Sequence, residues 1–242
     1  MVVVLGARVD DVDMRQALQK VMDYINAYQK NKQKFQIITL NAEMIYLAQN
    51  DEEWMKIIND ADLLTPDGAG VLWAAQRLGQ PLKERVTGID LMQAICDLAS
   101  DGRIGIYLFG AAPGVAGLAA DKLKLRYPDI RICGVKNGYF NDAETPQIVA
   151  EINEKKPDVL FVALGAPKQE KWIKANLAQI DCGVFIGVGG SFDVIAGNVK
   201  RAPVLFQKLR LEWFWRLLTN PSRIGRMMVL PKFMKAVKKS SQ

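Results

Sequence analysis

The sequence predicts an α/β fold, a doubly wound and mostly parallel sheet that carries a basic helical appendage at its C-terminus. Strand-like apolar runs alternate with segments of helical spacing along most of the 242 residues. Several runs are continuous apolar blocks, as expected of strands covered on both faces. After Gly197 the composition changes, with aromatic and basic residues interleaved. Together these describe a Rossmann-like core over residues 1–196, with its site at the strand carboxyl ends, and an appendage over 197–242.

In chain order, the strands are expected at residues 2–5, 35–40, 62–65, 104–109, 130–135, 159–164 and 184–188. Helices are expected between them at 14–28, 42–58, 68–78, 91–98, 115–127, 145–155 and 169–177, each from its helical spacing of apolar residues. In the appendage, residues 203–218 place Phe206, Leu209, Trp213 and Leu217 on one side, and Glu212 and Arg216 form an i, i+4 pair. Pro221 and Pro231 then read as interruptions, and 232–239 is amphipathic and basic.

Composition removes several function classes. There is no histidine, which excludes Ser-His-Asp triads, Cys-His pairs and the commonest metal ligand. Any general base at neutral pH is then a carboxylate, lysine, tyrosine or cysteine. Cys96, Cys133 and Cys182 are odd in number and lie in apolar runs, so they read as reduced core residues of a cytosolic protein. The start of the chain shows no basic n-region of a signal peptide. The longest uncharged stretch, 104–120, is broken by Gly105, Gly110, Pro113, Gly114 and Gly117 and reads as strand–turn–helix.

Charge is uneven. From Gly197 onward, eleven Lys or Arg stand against Glu212 alone, within a chain of net charge +6, so the body is mildly acidic. Short Pro-separated helices of Trp, Phe, Leu, Met and Lys/Arg have the composition of a segment lying on an anionic bilayer. Nucleic-acid binding and a solvated cap docked on the sheet are the rival readings of the same residues.

Five strand ends carry chemistry-bearing residues. Asp67 follows an apolar run whose ladder Pro66 is expected to block, with Gly68 turning the chain into a helix, and is the best placed candidate base. Thr39-Leu40-Asn41 closes the second strand, and glycine-rich loops follow the strands ending near Phe109, Leu164 and Val188. Small residues there let backbone N–H groups approach a phosphate. Neither a GxGxxG fingerprint nor a Walker A loop stands in its proper context.

Thr39-Leu40-Asn41-Ala42-Glu43, Thr65-Pro66-Asp67-Gly68-Ala69-Gly70-Val71 with Arg85-Val86-Thr87-Gly88 downstream, Gly165-Ala166-Pro167-Lys168-Gln169-Glu170 and Gly187-Val188-Gly189-Gly190-Ser191-Phe192-Asp193 occur in this order. In these motifs the chain resembles the WecG/TagA/CpsF family of bacterial glycosyltransferases, closest to its TagA branch, over nearly its whole length. The resemblance implies an inverting transfer of N-acetylmannosamine from its UDP conjugate to the 4-hydroxyl of GlcNAc-diphospho-undecaprenol, in synthesis of the wall teichoic acid linkage unit. It also implies a location in the cytoplasm, at the inner face of the membrane. Under it Asp67 matches the catalytic base, Thr39 and Asn41 polar residues beside it, and Arg85 and Gln169 further site residues. Arg216, Arg223 and Arg226 resemble arginines that close over the donor diphosphate. Gly110, Ala111, Tyr139, Gly189 and Asp193, taken mainly from their places at strand ends, are candidates for the uridine-diphosphate cradle.

The expected partners are therefore a UDP-sugar, a polyprenyl-diphosphate-linked GlcNAc acceptor and an anionic membrane surface, with no nucleic acid; an undocked apolar tail leaves room for homo-oligomers. No metal or other cofactor is expected. The Asp-x-Asp triplet Asp11-Val12-Asp13 reads as a dipole-favoured helix start, and arginines supply bidentate diphosphate contacts instead. A relative using another UDP-sugar for a surface polysaccharide is the nearest alternative, and a non-catalytic membrane- or nucleic-acid-binding protein a more distant one. Individually, Asp67 and Asn41 also fit helix caps, Thr39 an ordinary strand residue, Arg85 a surface ion-pair partner and Gln169 a first helical turn.

Overall fold

A computed structural model describes residues 1–203, 206, 214, 215, 225 and 228–240. The chain begins with an antiparallel hairpin, β1 (Val2–Val4) and β2 (Ala7–Val9), which stands apart from the main sheet. The sequence reading assigned the first of these strands to the sheet and missed the second. At three residues each, both are too short for a hydrophobic pattern to reveal their partner.

Among the described residues the main sheet has six strands, all parallel: β3 (Phe35–Leu40), β4 (Leu63–Pro66), β5 (Gly105–Gly110), β6 (Arg131–Lys136), β7 (Val159–Ala163) and β8 (Val184–Gly187). Their spatial order is β4-β3-β8-β7-β5-β6. The chain leaves β5 toward β6 and leaves β7 toward β8 on the opposite side. A topological switch point therefore lies between β5 and β7, where open α/β sheets form a crevice at their carboxyl ends.

Helices cover both faces. α1 (Met14–Asn31), α5 (Gly88–Leu98), α6 (Val115–Arg126) and α9 (Ser191–Ala196) pack on one side. α2 (Ala42–Ala48), α3 (Glu52–Asp60), α4 (Ala69–Arg77), α7 (Thr145–Lys155) and α8 (Lys168–Asn176) pack on the other. This explains the unbroken apolar character of β5 and β7, whose residues, like those of β3, are all buried.

Three expectations need correction. The single helix expected over 42–58 is two, because Asp51 caps a new start by accepting the Trp54 N–H. The helix expected from residue 91 begins at Gly88, capped by Thr87. Pro66 does not end the ladder, since the Asp67 N–H still donates to Leu40 O at 2.9 Å. β4 is an edge strand. Leu64 exchanges bonds with Asp10 on its outer side, so Pro66, two residues on, has its absent N–H on that side too.

The last helix, α10 (Val229–Ser240), gives a fourth correction. Pro231 lies in its first turn, where a missing N–H costs nothing, and does not interrupt it. Phe233 and Val237 are fully buried and, with Leu230, pack against α2 and α4. Beneath them Gly70 lets α4 approach α2, because a Cβ there would stand 2.9 Å from the Ala42 Cβ. The exposed side of α10 carries Lys232, Lys235, Lys238 and Lys239. Leu209, Glu212, Trp213 and Leu217, and so most of the helix expected over 203–218, lie outside the described residues.

Candidate active site

Asp67, Thr39 and Gly88 form one cluster at the carboxyl ends of β3 and β4. Asp67 Oδ2 accepts the Gly88 N–H at 3.2 Å, at the start of α5. A Cβ on Gly88 would come within 3.0 Å of Thr39 Oγ1, so glycine is what lets the threonine hydroxyl and the helix start approach. Asp67 is half-buried and does not cap α4. The N-cap of that helix is Gly68, whose φ of 96° only glycine adopts readily, and no side chain caps it. The carboxylate lies instead at the positive end of α5, which favours its charged form.

Arg85 reaches this cluster through the backbone. The Val86 N–H donates to Pro66 O at 2.9 Å, and Thr65 Oγ1 donates to Val86 O at 3.2 Å. Residues 85–87 are thus stitched along the end of β4, and the half-buried Arg85 is carried beside it. Asn41 N-caps α2 by accepting the Met44 N–H at 3.0 Å. The cap uses Oδ1 only, and its amide N–H groups are not needed for it.

Gln169 does more than fill a helical turn. Buried at the start of α8, it accepts the Gly165 N–H (3.2 Å) and the Gly189 N–H (3.1 Å) through Oε1. Its Nε2 donates to Glu170 Oε1 at 2.8 Å. The loops after β7 and β8 are therefore held together by one side chain. Gly187 joins this arrangement to the Asp67 cluster: its carbonyl lies 3.5 Å from Thr39 Oγ1, and a Cβ there would meet Gln169 Nε2 at 2.5 Å.

The remaining candidates spread along the sheet end. Gly110 closes β5 so tightly on β7 that a Cβ would stand 2.5 Å from the Ala163 carbonyl. The Ala111 N–H donates to Ala163 O and its carbonyl accepts from Gly138, both at 2.8 Å. That amide is committed to the protein itself, and the glycine answers strand packing. Tyr139, 73% exposed, stands in the loop after β6 beside the switch point. Gly189 has a φ of 51°, and Asp193 lies half-buried in α9. Arg216, Arg223 and Arg226 lie outside the described residues. In the triplet Asp11-Val12-Asp13, Asp13 caps α1 by accepting the Gln16 N–H at 2.7 Å, and Asp11 accepts the Lys83 N–H at 2.8 Å.

The sequence profile of the glycosyl transferase WecG/TagA/CpsF family matches residues 2–241. The chain belongs to this family. It is an enzyme, a glycosyltransferase. It is 37% identical over 239 residues to an N-acetylglucosaminyldiphosphoundecaprenol N-acetyl-beta-D-mannosaminyltransferase of Staphylococcus aureus, covering 99% of this chain and 92% of that one. The protein of the same name from Bacillus spizizenii is 39% identical over 210 residues, which is 87% of this chain and 80% of the relative. Among the described residues, no helix is long and apolar enough to cross a membrane.

Three residues of this site stand in the motifs quoted from the sequence without a role assigned to them. Gly88 supplies the N–H to Asp67, and Thr87 caps the helix that aims it; the pattern Thr87-Gly88-Ile89-Asp90 was a visible helix-start signal. Glu170 was legible only as a charge in a helical turn, because its burial depends on packing against β3 and β8.

Proposed function

We propose that this enzyme transfers N-acetylmannosamine from UDP-N-acetylmannosamine to GlcNAc-diphospho-undecaprenol, with inversion. The observation that carries the reading is the match to two transferases of that name over most of both chains, with Asp67 displayed at a strand end.

In this reading Asp67 takes the proton of the acceptor hydroxyl as it attacks the anomeric carbon, and no covalent intermediate forms. The α5 N-terminus and Gly88 N–H hold the carboxylate ionised and aimed. Thr39 and Asn41 lie at the same strand end to orient the sugar. Gln169 sets the loops after β7 and β8, with Gly189 and Asp193 toward the donor, and Tyr139 at the rim of the switch-point crevice. Arg85, Arg216, Arg223 and Arg226 meet the charge of the leaving UDP, an arrangement that needs no metal.

The lipid acceptor calls for a membrane surface. The basic tail and the exposed lysines of α10 support peripheral attachment to anionic lipid, with residues 197–227 as the part that closes over the donor.

A transfer assay tests this, using a soluble analogue of the lipid acceptor and a panel of UDP-sugars, with and without chelator. Product with inverted anomeric configuration, from UDP-N-acetylmannosamine and unaffected by chelator, is the expected result. Product from a different UDP-sugar alone would overturn the donor assignment, and chelator sensitivity the metal-free mechanism.

A further inference from the structure

Glu170 is the most buried acidic residue among those described, at 1% exposure. Its Oε1 accepts Gln169 Nε2–H, while Oε2 is enclosed without a hydrogen-bond partner. Its backbone carbonyl lies 3.4 Å from Gln36 Nε2 on β3. Room for the pair comes from Gly187, where a Cβ would stand 2.5 Å from Gln169 Nε2 and 2.9 Å from Glu170 Oε1. Burial pushes the carboxyl up to about 7. An acid kept in such a place without a counter-charge calls for a reason beyond packing.

An amide can present either its oxygen or its nitrogen. Two backbone donors from separate loops, Gly165 N–H and Gly189 N–H, require the oxygen of Gln169. Only an acceptor at the other end makes that choice unique. We propose that Glu170 is a positioning residue for sugar transfer: it fixes the Gln169 amide so that the loops ending β7 and β8 are held in register at the donor side of the site. This rests on the transferase reading and deepens it. Glu170 touches no reacting atom.

The test compares Glu170→Gln, Glu170→Asp and Glu170→Met in the full chain. Glutamine keeps an acceptor at the same reach, so kcat/KM should stay within about threefold of wild type. Aspartate withdraws the carboxyl by one methylene and methionine removes it. Each should lower kcat/KM by about tenfold or more, with KM for the UDP-sugar rising more than kcat falls. Amide exchange read by NMR at Gly165 and Gly189 should quicken about tenfold in the aspartate and methionine variants and stay unchanged in the glutamine one. If methionine prevents folding, aspartate decides alone. Equal loss in the glutamine and aspartate variants, or unchanged exchange in aspartate, would overturn the proposal. The exchange measurement needs no turnover, so it judges Glu170 even if wild type fails to use the proposed donor.

Discussion

Arg201 Nη2 stands 2.6 Å from Asp90 Oδ1, and through this pair the entry to the C-terminal segment is fastened to the first turn of α5. The other Asp90 oxygen accepts from Thr87 Oγ1 at 2.6 Å, Thr87 caps α5, and the next residue, Gly88, donates to Asp67. Three contacts thus connect the appendage to the candidate base. Arg201→Met should lower kcat/KM by about tenfold through misplacement of Asp67. Because both side chains are about 30% exposed, the melting temperature should change little, in line with about 1 kcal/mol or less for such a pair. Steady-state kinetics beside calorimetry separates the two effects, and equal loss of both would show a stability defect only.

Asp67→Asn keeps an acceptor for the Gly88 N–H and removes the base. Turnover should fall by about 10²- to 10⁴-fold while UDP affinity and folding persist. Isothermal titration with UDP and a transfer assay measure this. Near-normal turnover would mean that Asp67 serves only the start of α5.

Phe233→Ala opens a hole between α10, α2 and α4, where the ring is now fully buried. A cost of about 3–5 kcal/mol is expected in denaturant unfolding. A truncation that removes everything after Gly197 would uncover the same face. Deleting 204–227 with α10 retained on a linker is therefore the cleaner test of site closure, and should give a folded protein without transferase activity.

Glu170 also predicts a pH signature. Its carboxyl is raised by burial from an ordinary 4.5 to about 7, so the folded state holds its proton longer than the unfolded state. The stability it allows is complete below pH 4.5 and is lost as pH rises toward 7 and beyond. Neighbouring lysines do not offset this: Lys171 pairs with Asp51 and Glu53, and Lys174 with Asp60. Glu170→Gln should therefore gain stability on wild type across that window, by at most about 3 kcal/mol. Urea midpoints from pH 4.5 to 8 check it, and parallel curves for the two proteins would refute it.

Much of this was legible in the primary structure, and the reasons are local. The apolar blocks of β3, β5, β7 and β8, the helical spacing between them and the helix-start residues Asp13 and Asn41 act over a few residues, so composition and order suffice to place them. Family-specific motifs likewise marked Asp67, Thr39 and Gln169. The strand order was not legible, nor was the separation of the β1–β2 hairpin from the sheet, because pairing depends on segments distant in sequence. Asp67 as an acceptor at α5, Glu170 as a buried acid and α10 as a core helix were decided by tertiary structure alone. Each depends on which surface a residue meets after folding: Gly88 is 21 residues from Asp67, and Phe233 packs with helices of the first third of the chain. Burial and long-range hydrogen bonds, unlike helix caps and apolar periodicity, exist only once those surfaces have met.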